Sequence, residues 1–565
     1  MILVVAPPAR SRRSGGARQA LVAVAQVRLM ILSLLFGFGT LVLVGKLALL
    51  ALWAEPATAR NLNAVLLPPR GDIVDRHGAP LARSIDAWAI AVHPNQVIGD
   101  KTALAQKLAA LIPEQSAGHY YAMLNSGGNF GYLKRRAMPE LVNAVNALGE
   151  PAIEFQREPD RLYPQSALAA HVLGFLDVTG HGKYGMERVL DAQLTDPARR
   201  GQPVPLSLDL RVQAALENEL GSAMASFQAA GAAGVILDVR TGEVMAMVSL
   251  PSFNPNAIQG EVPRNNVTQA RYELGSTFKP LAMAAAIDSG TVTSMARRFD
   301  ATAPIRIGRF SISDDHPQRR FLNIPETLIY SSNIATARIA DLMGQAPMEA
   351  LFRRLGFDAA PEVEIEKAGT LWPSHWGRLT TMTTAYGHGI AITPLQLATA
   401  YAAMINGGIH RPATMLKVDK TPTGTRVFSE STSARMRQLL RLIVTDGTGK
   451  KADAPGFRVG GKTGTAERPG KGGYSANMNV STFAAAFPMD APRYVVIAML
   501  DSPIGNAQSA GQRTAGWTAA PVVSRVVMRT GPLLGVIPDS SRDVDLSELK
   551  RLIWTGPHGV VASDR

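Results

Sequence analysis

The chain has 565 residues, 46% hydrophobic and 18% charged, and its 58 Lys and Arg outweigh 45 Asp and Glu to leave a formal charge of +13. That length exceeds one ordinary domain, and the composition is that of a globular chain and excludes an intrinsically disordered one. Cysteine is absent, which excludes disulfides, thiolate catalysis and iron–sulfur clusters and suits an oxidising compartment.

The charge is unevenly placed. Arg10, Arg12, Arg13, Arg18 and Arg28 all precede the first acidic residue, Glu55. Leu29–Trp53 then runs for 25 residues with Lys46 as its only charge. As a helix it would cover ~38 Å, against a hydrocarbon core of ~30 Å, so residues 29–53 are predicted to be a transmembrane helix. The basic flank predicts a cytoplasmic tail over residues 1–28, with everything after residue 54 outside the cytoplasm. A cleavable signal peptide is the alternative. Its apolar region should span only ~7–15 residues, although the small residues of Ala54–Ala59 keep cleavage open. Beyond the anchor no dense Lys/Arg run interleaved with aromatics occurs, so nucleic acid is not an expected partner.

Asn61–Pro69 reads as a linker. Residues 70 to about 205 mix short strands such as Ala87–Val92 with helices such as Thr102–Leu111. The two prolines of Gly201–Pro205 suit neither a helix nor a central strand and mark the next boundary. Leu210–Phe227 is predicted to be a helix. Gly234–Val239 and Val244–Ser249 are apolar runs around Arg240-Thr-Gly-Glu243, a hairpin signal. A helix-rich stretch from 276 to 445 follows, then strands at Val480–Phe487 and Tyr494–Leu500 and a closing helix at Ala515–Met528. Strands at both ends with helices between predict a mixed α/β (α+β) domain, a central antiparallel sheet flanked by helices.

Three short motifs stand in order along this region. In Glu273-Leu-Gly-Ser276-Thr-Phe-Lys279-Pro280, Gly275 breaks the preceding chain and the Ala-rich run after it places Ser276 at a helix start. Ser276 and Lys279 then share a face at i and i+3. A serine hydroxyl needs a base to become a nucleophile, and a buried lysine whose pKa falls towards neutrality can serve. Helix N-terminal N–H groups favour a developing oxyanion. An N-capping serine beside a solvated lysine is the plainer reading of this motif alone. Ser331-Ser332-Asn333 opens another predicted helix, Ile334–Met343, and by itself reads as a cap. Lys462-Thr463-Gly464-Thr465 combines a cation, hydroxyls and a close-approach glycine, which suit a substrate carboxylate. The same segment, from Gly456 to Thr463, matches the phosphate-loop spacing G-x-x-x-x-G-K-[ST]. That loop needs a helix after it, and Ala466–Gly473 with its proline and glycines cannot supply one.

Ser-x-x-Lys, Ser-x-Asn and Lys-Thr-Gly in this order resemble the signature set of penicillin-recognising serine enzymes. Upstream, Arg70-Gly-Asp-Ile-Val-Asp75-Arg76-His-Gly78 resembles the motif that opens the non-catalytic region of class B penicillin-binding proteins. Arg161-Leu-Tyr163-Pro164, Gly185-Met-Glu187 and Thr393-Pro-Leu-Gln396 are also similar to that family. The resemblance covers about residues 29 to 530. Leu274 departs from it, since the family usually has proline there, a change expected to affect loop rigidity more than chemistry.

The resemblance implies five segments: a basic tail (1–28), the transmembrane helix (29–53), a mixed pedestal, dimerisation-like domain (54–205), a transpeptidase domain (206–545) and a C-terminal tail (546–565). It implies the penicillin-recognising transpeptidase fold and anchoring in a bacterial inner membrane with the catalytic domain periplasmic. Within class B the chain looks most like division-specific peptidoglycan D,D-transpeptidases, because elongation-type relatives often carry Asp where Asn333 stands. On that reading Ser276 attacks the penultimate D-alanine carbonyl of a stem peptide. Lys279 takes its proton, Ser331 passes a proton to the leaving amine and Asn333 orients the substrate amide. Lys462, Thr463, Gly464 and Thr465 hold the terminal carboxylate. The backbone N–H groups of Ser276 and Thr465 form the oxyanion hole.

β-Lactams would acylate Ser276. Implied partners are a multi-spanning membrane glycosyltransferase and other division proteins. No cofactor and no metal are expected, since His316, His375 and His388 lack ligand spacing. Glu326 lies outside the context of a deacylating glutamate, which argues against a β-lactamase. The stretch between anchor and acyltransferase domain is too short for a glycosyltransferase domain. An elongation-type enzyme, a D,D-carboxypeptidase and a non-catalytic β-lactam sensor or scaffold remain as alternatives.

Overall fold

The computed structural model describes residues 15–53, 70–258, 260–470 and 473–556. Arg10, Arg12, Arg13, the linker Asn61–Pro69 and residues 557–565 of the expected tail lie outside these. Contacts divide the chain into two units, residues 1–67 and 68–565.

In the first unit Gly15–Trp53 is one continuous helix of 39 residues, beginning well before Leu29. Its segment Gln26–Leu49, 24 residues with none buried, covers ~36 Å at 1.5 Å per residue. It is long and apolar enough to cross a membrane.

The second unit begins with two small sheets. Trp88–Val92 lies between Gly131–Ala137 and Ile153–Arg157, antiparallel to both. Lys101–Leu111, Ala117–Leu124 and Pro139–Asn146 supply Leu104, Leu108, Tyr120, Leu124 and Val145 to a core shared with Ile90 and Val92. The second sheet runs Asp160–Leu162, Pro80–Ile85, Ile73–Val74, Val204–Pro205. Its last strand pairs parallel with Ile73–Val74 from the edge, where a proline's missing N–H faces no partner.

The three upstream motifs, scattered in sequence, meet here. Arg70 Nε donates to Glu187 Oε2 at 2.7 Å and Arg161 Nε to Glu187 Oε1 at 2.7 Å, with Glu187 fully buried. Arg70 also reaches Asp191 at 2.6 Å. Asp75 accepts from the backbone N–H groups of His77 and Ala79 through Oδ1 and of Leu210 through Oδ2, so it ties this region to the first helix of the catalytic part. Ile73, Leu81 and Met186 belong to the same buried cluster as Leu206 and Met415. The two regions therefore share one core.

The catalytic part is built on a five-stranded sheet in the order Val244–Leu250, Gly231–Asp238, Tyr494–Asp501, Gly473–Phe487, Gly460–Gly470, antiparallel throughout. Both faces are covered, so the inner strands read as unbroken apolar runs. Along Tyr494–Asp501, Val495, Ile497 and Met499 face the core that holds Leu395, Ala398 and Tyr401 of the helix Pro394–Ile405. Val496, Ala498 and Leu500 face the helices Leu210–Ser226 and Ala519–Leu533. This is the period of two expected of a strand. The hairpin, the strand Tyr494–Asp501 and the flanking helices lie where the sequence predicts them to within about five residues, whereas the strand predicted at Val480–Phe487 begins seven residues earlier, at Gly473. The strand Gly460–Gly470 is not predicted by the sequence pattern, and it carries the third motif. Thr393 and Gln396 form the expected helix start as a reciprocal capping box, with Gln396 N donating to Thr393 Oγ1 and Thr393 N to Gln396 Oε1.

Candidate active site

Gly275–Phe278 is a single 3₁₀ turn that runs into the helix Lys279–Asp288. Gly275 has φ +54°, a region where a side chain is strained. Pro280 falls in the first helical turn, where its missing N–H is not needed. Ser276 is half-buried and Lys279 fully buried. The hydrogen bonds of Lys279 run to Ser331, not to Ser276: Nζ donates to Ser331 Oγ at 3.0 Å and to its carbonyl oxygen.

At the second motif the two serines divide two jobs that sequence left as rival readings of one motif. Ser332 is the N-cap of the helix Asn333–Met343, its Oγ accepting from Ala335 N at 3.0 Å. Ser331 has φ +58°, and that uncommon conformation for a serine turns it out of the helix, where its hydroxyl meets Lys279. Asn333 donates to the carbonyl of Ser313 at 2.9 Å. Asp314, which no motif singles out, holds the whole segment: Oδ2 accepts from Ser332 Oγ at 2.8 Å and Oδ1 from Ile334 N at 2.9 Å. Nothing in the local sequence around Ser313-Asp314-Asp315 announces that role.

Lys462 lies within the edge strand Gly460–Gly470, and the backbone beyond it stays extended. The strand–loop–helix context of a phosphate loop is absent, which disposes of the nucleotide reading. Lys462 is fully buried and donates to the Thr463 hydroxyl at 3.0 Å. Thr448, a second residue not foreseen, meets the Thr463 hydroxyl at 2.9 Å. Thr465 Oγ1 accepts from Ala515 N at 3.1 Å.

The first and third motifs are pressed together by two glycines. A Cβ on Gly464 would stand 2.4 Å from the Leu274 carbonyl oxygen and 2.7 Å from Thr277 Cγ2, and one on Gly275 would stand 2.9 Å from the Thr465 carbonyl oxygen. Gly464→Ala is expected to force the strand off the Ser276 turn, to lose about 1–3 kcal/mol of stability and to depress acylation. Thermal unfolding and acylation kinetics of the same variant check both effects.

Electrostatics single out the two lysines. Burial pushes Lys279 down to about 7, opposed by the negative charges of Asp314 and Asp315. Burial also drives Lys462 well below the ordinary lysine range. The neighbouring Lys279 adds to that shift and Asp315 opposes it. A lysine titrating near neutrality can accept a proton in physiological conditions.

Beside the motifs lies a cavity of about 550 Å³ lined by Arg264, Glu273, Trp372, His375, Glu467 and Arg468 among others. Its walls continue the elements that hold the site, since Glu273 precedes Ser276 by three residues and Glu467 and Arg468 come directly after Thr465 and Ala466. His388 pairs with Glu273 at 3.3 Å, and His316 is exposed. Among the described residues no group of three or more His, Asp or Glu is set to hold a metal ion. Glu326 is occupied: it accepts from Asn323 N and Trp554 N and pairs with Arg320 at 2.9 Å.

Comparison with known proteins agrees with this arrangement. Residues 232–526 match the Penicillin binding protein transpeptidase domain and residues 65–196 the Penicillin-binding Protein dimerisation domain. The "Probable peptidoglycan D,D-transpeptidase FtsI" of Caulobacter vibrioides is 40% identical over 487 residues, covering 83% of this chain and 82% of that one. The Escherichia coli K12 "Peptidoglycan D,D-transpeptidase FtsI" is 31% identical over 517 residues, 85% and 86% of the two chains. The crystal structure of penicillin binding protein 3 from Mycobacterium tuberculosis, complexed with aztreonam, matches with a TM-score of 0.66 and 26% identity over 84% of this chain and 98% of that one. Two matched domains in series, the second holding all three motifs in one place, show that this chain belongs to the class B penicillin-binding proteins.

Proposed function

We propose that the chain is a serine D,D-transpeptidase that cross-links peptidoglycan stem peptides at the division septum. The observation that carries this reading is the buried Lys279, brought down to about 7 and bonded to Ser331, at the start of the helix that follows the turn presenting Ser276. Neutral Lys279 takes the proton of Ser276 Oγ as it attacks the penultimate D-alanine carbonyl. Hydrogen bonds of this kind tighten when substrate binds, which would turn Nζ from Ser331 towards Ser276. The proton passes by Ser331 Oγ to the departing D-alanine amine, leaving an acyl ester on Ser276. An amine of a neighbouring strand then attacks that ester, forms the cross-link and returns a proton to Ser276. Asn333 holds the substrate amide, and Lys462, Thr463 and Thr465 the terminal carboxylate. Gly464 lets their strand lie against the nucleophile's turn, and the N–H groups of Ser276 and Thr465 receive the oxyanion. The neighbouring cavity receives the donor peptide upstream of the scissile bond.

The apolar helix anchors the protein in the bacterial inner membrane with its basic tail cytoplasmic and the remainder periplasmic. Residues 54–205 serve as the pedestal and 206–545 as the transpeptidase domain. The chain acts on glycan strands made by a separate membrane glycosyltransferase, alongside other division proteins.

The test compares the full chain with Ser276→Ala for acylation by a labelled penicillin and for peptide cross-linking in the presence of a strand-polymerising partner. Wild type is expected to do both and Ser276→Ala neither. An unlabelled wild type overturns the reading. Labelling without cross-linking favours a non-catalytic sensor, and release of D-alanine without cross-links a carboxypeptidase. Depletion in cells separates roles, filaments marking division and rounded cells elongation.

A further inference from the structure

We propose that the C-terminal segment Leu546–Trp554 positions the second motif, acting through a stack of Trp554, Arg320 and Tyr330. The inference rests on the reading of Ser276 and Ser331 given above. The segment lies past residue 526, where the match to the transpeptidase domain ends. It is nevertheless built into the fold, with Leu546 and Leu549 buried in the main core. Arg435 pairs with Glu548 at 3.0 Å and Lys550 with Asp446 at 3.3 Å, which fastens the segment to the helix Glu430–Asp446.

From there the chain crosses to the helix Ile324–Ile329, which leads into the second motif. Asn323 Nδ2 donates to the Leu552 carbonyl at 2.6 Å, and Trp554 N donates to Glu326 Oε1 at 2.9 Å. Glu326 in turn pairs with Arg320. The Arg320 guanidinium lies 5.0 Å from the Trp554 ring centre and 5.6 Å from that of Tyr330. A cation over an aromatic face is attracted to it, and Arg320 lies over both rings.

Tyr330 is the residue immediately before Ser331, whose φ is +58°. A non-glycine residue stays in that region only where its surroundings over-determine it. Holding the Tyr330 ring restrains the peptide that joins it to Ser331. Release of the ring would let Ser331 relax towards an ordinary conformation and carry its Oγ away from Lys279 Nζ, now 3.0 Å distant. Trp554 is 55% exposed, so removing its ring opens no internal cavity.

The experiment measures, in the detergent-solubilised full chain, the acylation rate constant at saturating labelled penicillin, the half-saturating concentration and the melting temperature. Trp554→Ala is expected to lower the rate constant about tenfold, as a displacement of under 1 Å at a reacting group can. The half-saturating concentration and melting temperature should stay near wild type, and Trp554→Phe should restore most of the rate. Arg320→Lys keeps the charge but not the planar face and should fall in the same way. An unchanged rate constant in Trp554→Ala, or a loss that phenylalanine does not restore, overturns the proposal. Should Trp554→Ala fail to fold, a wild-type rate in Arg320→Lys overturns it. Absence of labelling in the wild type would overturn the reading of Ser276 and this inference with it.

Discussion

Replacing Lys279 by arginine is expected to slow acylation of Ser276 by about 10²–10⁴-fold, the usual worth of a positioned general base. Arginine keeps a positive charge at the same place but cannot surrender its proton, so the variant separates a lysine that acts as a base from one that acts only as a charge. A variant that acylates at the wild-type rate would show that the charge alone matters. The wild type should carry the same signature in its pH dependence. The base works only when neutral, so acylation should be slow in acid, rise as pH passes about 7 and level off above it. Asp314 and Asp315 both favour the charged form of Lys279. Asp315→Asn should therefore move the midpoint to lower pH, and a midpoint that stays put or rises would contradict that electrostatic account. Stopped-flow acylation across pH 5 to 9 reads both results.

Glu187→Ala should cost about 3–5 kcal/mol of stability, the range for removing one partner of a buried ion cluster. Glu187 is fully buried, and its two oxygens separately receive Arg70 and Arg161, themselves buried. Without the carboxylate, Arg70 keeps Asp191 at 2.6 Å, while Arg161 keeps only neutral acceptors such as the Gly71 carbonyl at 2.8 Å. Most of the penalty therefore falls on Arg161. Asp191→Ala is the control: its carboxylate is 27% exposed, and its removal should be felt far less. Melting temperatures of the three full-length proteins decide the matter, and equal losses in the two variants would show that burial is not what sets the cost.

These two sites differ in how far they can be read from sequence. Ser276 and Lys279 stand three residues apart at a helix start, and their proximity follows from spacing alone. Arg70, Arg161 and Glu187 each stand in a motif, but nothing local says that one carboxylate serves two arginines 117 and 26 residues away. The inner strands Gly231–Asp238 and Tyr494–Asp501 are legible because a sheet buried on both faces needs an unbroken apolar run. The strand Gly460–Gly470 is not, because Gly460, Gly461, Gly464 and Pro469 all argue against a strand. Those glycines answer to neighbours instead of local propensity: a Cβ on Gly461 would stand 2.5 Å from the Ala484 carbonyl oxygen, and Gly464 faces Leu274. Asp314 and Thr448 escape a sequence reading for a similar reason, since a single acid or hydroxyl carries no pattern until the fold sets it beside its partner.

The amino-acid sequence by itself determined the apolar helix, the inner strands and flanking helices of the main sheet, the order of the three motifs and the family they belong to. These depend on contiguous composition or on spacing along one element, which the chain carries locally. Only the tertiary structure decided that Lys279 bonds to Ser331 and not to Ser276, that Ser332 takes the cap and so frees Ser331, and that the segment after Leu546 packs against the helix leading into the second motif. Burial, and with it the descent of both lysines from their ordinary range, exists only when distant segments close over the same ammonium groups and exclude water.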